Sequence, residues 1–198
     1  MKSPEHLRIC NLPDMSWSRH FLFLLLGIIA CFAQAQNTLG PKIQVYPAGY
    51  IVSAKAAKVG RTNEWNVQTG YNFARRQDFG RHDNEEGGGP GLGIGYRKYL
   101  SSSAKGIYLG ANMDVWLLRI DWRDRITTFP APAFDTGTTH ITVLQPTVGA
   151  GYQYLSVSGL WSASAGVAFG REWNIITNGE PVGQGGISLL VFTMNRKL

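Results

Sequence analysis

Apolar and polar side chains alternate with a period of two along much of this chain. Leu144, Pro146, Val148, Ala150, Tyr152 and Tyr154 share one face of a segment whose other face is Gln145, Thr147, Gly149, Gly151 and Gln153. Successive side chains of a strand point to opposite sides, so each such segment is a two-faced β-strand. Trp65 to Phe73, Leu92 to Tyr96, Ile107 to Leu117 and Trp161 to Phe169 repeat the pattern. After Val115 the apolar set passes to Trp116, Leu118, Ile120 and Trp122, which predicts a β-bulge at that point. Pro146 lacks a backbone donor and is expected at a bulge or a non-bonding position. Gly186 to Asn195 is apolar on both faces, through Ile187, Leu189 and Val191 and through Leu190, Phe192 and Met194, and leaves its register open.

The polar face decides which side is inside. It holds small neutral residues, such as Gln68, Gly70 and Asn72 or Ser162, Ser164 and Gly166, rather than the Lys and Glu of a solvated strand. Small neutral groups suit a narrow lumen, and an apolar exterior suits lipid. Charges gather in Arg75 to Glu86 and Arg119 to Arg125, read as loops outside a bilayer. Connections near residues 60, 103 and 157 are short, and those at 76–89, 124–138 and 176–184 are longer, as in membrane barrels. The fold expected is all-β, an antiparallel up-and-down transmembrane β-barrel of eight strands. Seven strands follow Tyr50; the eighth is Ile43-Gln44-Val45-Tyr46, with Pro47-Ala48-Gly49 as its tip. An amphipathic helix over Val52 to Val59 is the rival for that region. Trp65, Tyr99, Tyr108, Tyr152, Tyr154 and Trp161 near the short turns, and Phe73, Trp116, Trp122 and Trp173 toward the long loops, are expected to form two interfacial girdles.

Residues 21–32 form an apolar run too short for a spanning helix, which needs about 20 residues. With Arg19 and His20 before it and Ala33-Gln34-Ala35 after it, the run reads as a signal peptide over residues 1–35, cleaved between Ala35 and Gln36. Met1 to Asp14 is long for a basic flank, and Met15 is an alternative start. Ile28-Ile29-Ala30-Cys31 loosely matches a lipidation box, the competing reading. Cleavage after Ala35 removes both cysteines, Cys10 and Cys31, and leaves one domain, residues 36–198, without thiol chemistry.

The whole chain carries a formal charge of +6 at pH 7, and a mild basic excess survives loss of the leader. It is scattered, without the motifs of a nucleic-acid binder, so no nucleic-acid partner is expected. His82-Asp83-Asn84-Glu85-Glu86 offers metal-ligand types without a recognised ligand spacing, so no metal site is assigned. No Gly-x-Ser-x-Gly elbow is present, and Gly91-Leu92-Gly93-Ile94-Gly95 lacks the strand-then-helix setting of a nucleotide loop. No catalytic residue and no cofactor is assigned. Glu64, Arg97, Asp114, Arg119, Asp121 and Glu172 are expected in the lumen, where buried charge must pair; Arg97 with Asp114 is one such pair.

Gly91 to Tyr99 followed by Lys105 to Gly110 resembles a hairpin of the small outer-membrane β-barrel superfamily, which includes OmpX-like, OmpW-like and OmpA-transmembrane barrels. The resemblance spans about Ile43 to Leu198. It implies outer-membrane lipid and the barrel assembly machinery as partners, although the chain ends Asn195-Arg196-Lys197-Leu198 where many such barrels end in an aromatic residue; Phe192 is the substitute within the strand. The function expected is that of a non-enzymatic outer-membrane barrel, structural or surface-interacting through its long loops, with no loop ligand named. The alternatives are a narrow conduit for small solutes and a soluble periplasmic lipid-binding barrel with its apolar faces turned inward.

Overall fold

Strand alternation fixes the architecture, because a sheet with one apolar and one polar face leaves an unpaired edge unless it closes on itself. The structure is a computed structural model and describes residues 37–77, 80–101, 103–126 and 133–198. The leader, its cleavage pair Ala35 and Gln36, Met15 and Cys31 lie outside these residues.

The strands are β1 (Asn37–Tyr46), β2 (Gly49–Val59), β3 (Asn63–Gln77), β4 (Asn84–Tyr99), β5 (Gly106–Ile126), β6 (Ala133–Leu155), β7 (Trp161–Arg171), β8 (Trp173–Asn178) and β9 (Gly186–Lys197). Each pairs antiparallel with its neighbour from β1 to β7. β7 then pairs with β9, and β9 with β1, so the sheet closes. Only Glu172 separates β7 from β8, and both pair with β6, so the two form one interrupted stave. The barrel therefore has eight staves built from nine hydrogen-bonded strands. β1 reaches back to Asn37, and the Val52 to Val59 segment is strand β2 rather than helix. Its positions alternate between Val52, Ala54 and Lys58 outward and Ile51, Ser53, Lys55 and Ala57 inward.

Pro146 sits where the ladder from β6 breaks. Thr147 pairs with Gly170 of β7 and Leu144 with Trp173 of β8, leaving Gln145 and Pro146 opposite the interruption. A residue without an N–H belongs at such a gap. The short turn after β6 closes through Gly159, whose φ of 67° is readily adopted by glycine.

Several expectations change. β5 pairs in one unbroken register with β6 from Gly106↔Gln153 to Ile126↔Ala133, so there is no bulge after Val115. Trp116, Leu118 and Ile120 are buried while Val115, Leu117 and Arg119 face out. The phase appeared to slip because the lumen itself becomes apolar there. The same cause explains β9: Ile187, Leu189 and Val191 point inward and Leu190, Phe192 and Met194 outward. The charged segments expected as loops are largely strand. β3 and β4 stay paired to Gln77↔Asn84, and β5 and β6 to Ile126↔Ala133.

Outside, Ile43, Ile94, Leu109, Met113, Val148, Phe169 and Leu190 are among the exposed large side chains of an apolar belt. Inside, Trp116, Ile51, Leu118, Ile120, Ile141, Val143 and Leu189 belong to one buried cluster. A soluble lipid carrier would have the apolar belt turned inward around a cavity, the reverse of this arrangement.

Candidate functional site

The lumen is the region where chemistry-bearing side chains converge, and it is built in three layers. The layer nearest the short turns is polar and charged. Lys55 on β2 and Glu64 on β3 form an ion pair of 2.5 Å, with both side chains almost fully buried. The Tyr99 hydroxyl donates to Glu64 Oε2 at 2.7 Å and lies 2.9 Å from Gln153 Oε1. Arg97 brings its Nε to 3.7 Å from Glu64, donates to Ser164 Oγ at 3.3 Å and stacks 4.4 Å above the Tyr108 ring. Gln68 Nε2 donates to Asp114 Oδ1 at 2.5 Å. Lys42 is buried within electrostatic reach of Asp114 and Glu64. Glu64 thus collects two cations and a phenol, the compensation that a buried carboxylate requires.

The middle layer is the apolar cluster. Trp116 is completely buried, its Nε1 donating to Gln145 Oε1 at 2.7 Å, and its ring lies against the backbone of Gly91. A β-carbon at Gly91 would stand 2.2 Å from Trp116 Cε3, so the absence of a side chain on β4 makes room for the indole on β5. The Tyr108 hydroxyl occupies corresponding space over Gly151 and Gly166. Small lumen residues thus sit beside large ones on neighbouring strands, and the apolar cluster draws residues from β1, β2, β3, β5, β6, β7 and β9.

The third layer closes the end carrying the long connections. Arg76 Nη2 donates to Glu172 Oε2 at 2.8 Å, and Arg76 Nη1 reaches Glu85 Oε2 at 3.3 Å and the Gly183 carbonyl at 2.8 Å. Glu85 accepts from the backbone N–H groups of Arg81, His82 and Gly183. These bonds tie the β3–β4 tip and the 179–185 segment over the barrel, with Val182 packed into the apolar cluster beneath. Beside the clasp, His82 stacks on Trp122 at 4.2 Å and meets Asp124 through Nδ1 at 2.7 Å. Asp83 is held by bonds to the β5 extension, accepting from Arg125 N and donating its own N–H to Asp124. His82 and Asp83 are therefore engaged with the β5 extension, and Glu85 with the clasp. Among the described residues no three His, Cys, Asp or Glu side chains gather as a metal centre would require.

Of the six charges expected inside, Glu64, Arg97, Asp114 and Glu172 are buried, and Arg119 and Asp121 are not. These last two stand on the outer face of β5 above the belt, more than half exposed, 3.6 Å apart. Once β5 runs without a bulge, their odd numbers place them outside. Arg97 pairs electrostatically with Glu64, while Asp114 accepts from Gln68. Lys42, Lys55, Arg76 and Glu85 are lumen or clasp residues that the pattern did not single out. Among the expected girdle aromatics, Trp65, Tyr152, Tyr154 and Trp161 face outward beside the short turns, and Phe73 and Trp173 toward the other end. Tyr99, Tyr108 and Trp116 are buried in the lumen and Trp122 packs against its core, so these four belong to no girdle. Tyr108, Trp116 and Trp122 share the inward parity of Gly110, Asn112 and Asp114 on β5, and Tyr99 that of Gly93, Gly95 and Arg97 on β4.

From one end to the other the lumen therefore holds a charged floor, an apolar cluster and an ionic clasp. Among the solved structures to which the chain is similar are two at low identity. Neisserial surface protein A (NspA) is similar over 82% of this chain and 95% of its own, at 12% identity and a TM-score of 0.43. The N-terminal β-barrel domain of Pseudomonas aeruginosa OprF is similar over 82% of this chain and 98% of its own, at 12% identity and a TM-score of 0.45. No protein-family model matches the sequence, and no curated protein matches it.

Proposed function

We propose that this protein is a non-enzymatic outer-membrane barrel of a Gram-negative envelope that presents its extended hairpins at the cell surface and conducts no solute. The observation that carries this reading is the apolar cluster inside the lumen, where Trp116 and its neighbours lie between the Glu64 charge cluster and the Arg76 clasp. A conduit needs a continuous wet path, and buried apolar side chains packed across the bore remove it. The apolar belt flanked by outward aromatics supports a lipid setting. The assembly machinery is the partner that would insert such a barrel, with Phe192 as the aromatic of its last strand.

The test is reconstitution into planar bilayers and into vesicles, with folding followed by the change in gel mobility on boiling. A folded, heat-modifiable barrel that passes no single-channel current supports the reading. Steps of defined conductance from the same folded protein would replace it with the solute-conduit reading. Recovery from cells in soluble form without detergent would remove the membrane setting altogether.

A further inference from the structure

Charge is divided unequally between the two ends of the barrel. At the short-turn end Lys58, Lys98, Lys105, Arg196 and Lys197 are exposed, and no exposed Asp or Glu side chain accompanies them among the described residues. Glu64, the carboxylate nearest that end, is buried against Lys55. At the opposite end arginines such as Arg119 and Arg123 are interspersed with Glu86, Asp121 and Asp124.

Above part of this cationic rim the exterior is hollowed. A groove of about 480 Å³ is floored by Ala163 and Ala165 and walled by Tyr152, Tyr154, Phe192 and Met194. Ala163 pairs with Met194, and two positions nearer the strand ends Trp161 pairs with Arg196 on the same outward face. The Arg196 guanidinium lies 5.7 Å from the Trp161 ring, a stacking that holds the group while its N–H edges remain available to an anion.

We infer that the groove and Arg196 together form a site for one anionic phospholipid in the leaflet on the short-turn side. An acyl chain lies along the alanine floor, and the phosphate meets Arg196 at the end of the groove. Charge complementarity selects this occupant, since among the described residues the rim offers an anion exposed cations and no exposed Asp or Glu side chain. The inference rests on the lipid-facing reading of the belt.

The test is native mass spectrometry of the detergent-extracted, delipidated protein, titrated with phosphatidylglycerol or with phosphatidylcholine of identical chains. Heat-modifiability of each sample establishes that the barrel is folded. Phosphatidylglycerol adducts are expected to be favoured by about fivefold, the effect of roughly one well-placed cation at a lipid surface. Arg196→Gln and, separately, Ala165→Phe, which fills the groove from its lipid-facing side, are each expected to abolish that preference. Equal retention of the two lipids by folded wild-type protein would overturn the site and leave the membrane barrel standing. A preference that survives Ala165→Phe would overturn the groove as its location. Failure of the wild-type protein to give a heat-modifiable barrel would remove the underlying reading and this inference with it.

Discussion

Arg76 on β3 donates to Glu172 across 2.8 Å, and Glu172 is the single residue that interrupts the stave between β7 and β8. The interruption is therefore stapled to the opposite wall. Replacing Arg76 with Ala leaves Glu172 and Glu85 buried without their cation, a class of change that costs about 3–5 kcal/mol. Urea unfolding from vesicles is expected to show a loss of that size for Arg76→Ala. The Arg76→Met, Glu172→Leu double change should lose less than the sum of its single changes. Additive losses would mean that the two side chains do not act as a pair.

The same logic applies to the floor, where Glu64 accepts from both Lys55 and Tyr99. Glu64→Gln keeps the shape and removes the charge, leaving Lys55 and Arg97 buried together. It is expected to destabilise the barrel by about 3 kcal/mol, the lower end of the range for breaking a buried pair. Lys55→Met added to Glu64→Gln should restore part of the loss. Equilibrium unfolding of the four members of this cycle measures the coupling directly.

The β-class, the closure and most strands were legible in the sequence, because alternation such as Val148, Ala150, Tyr152 against Gly149, Gly151, Gln153 has one strong physical cause. What period two cannot reveal is the chemistry of the inside. The lumen changes along its axis from Lys55 and Glu64 to Trp116 and Leu118, so an inward apolar residue on β5 looks like a residue that has changed sides. Trp116 and Trp122 were misplaced for that reason, and Arg119 and Asp121 with them. Arg76 and Glu85 lay hidden in a charged run read as loop. The signal that could have found Arg76 is parity: Asn72, Ala74 and Arg76 continue the inward face of β3. Lys55 likewise continues Ile51 and Ser53, which a helical reading of Val52 to Val59 obscures.

Among the described residues Trp116 is the largest fully buried side chain, and its indole rests against Gly91. Trp116→Ala is expected to cost about 3–5 kcal/mol through lost burial and the cavity that remains. Gly91→Ala should also destabilise, from the opposite cause, by about 1–3 kcal/mol of overpacking. Combining the two should be less harmful than their sum, because the alanine at position 91 partly occupies the space that the indole vacates. Guanidinium or urea unfolding in detergent micelles checks all three.

Ile94 is 60% exposed on the outer face of β4, between Lys98 near the short turn and Glu86 beyond the belt. A lipid-facing position there should reject charge. Ile94→Arg is expected to cost about 2–4 kcal/mol when stability is measured in vesicles, the penalty for a cation near the bilayer midplane. Arg123→Ala, on the same outward side of the barrel but on the β5 extension, should change stability little. A near-zero effect of Ile94→Arg would place β4 in water and contradict the orientation of the belt.

The contact between His82 and Asp124 lies on the hairpin extensions, beyond the apolar belt. The His82 Nδ1 hydrogen bond, with the Asp83 N–H donating to the same carboxylate, holds the Asp124 carboxyl below its ordinary pKa. A carboxylate stabilised in the folded state contributes fully above its unfolded pKa of about 3.9 and loses the contribution as pH falls through its lower folded value. The tie between the β3–β4 tip and β5 should therefore persist at mildly acid pH and loosen only below about 3.9. The amide resonance of Asp83, which donates to Asp124 Oδ1, is expected to show an inflection in that lower range, absent in Asp124→Asn. An inflection above the ordinary carboxylate value would reverse the sign of the interaction and detach His82 from the tie.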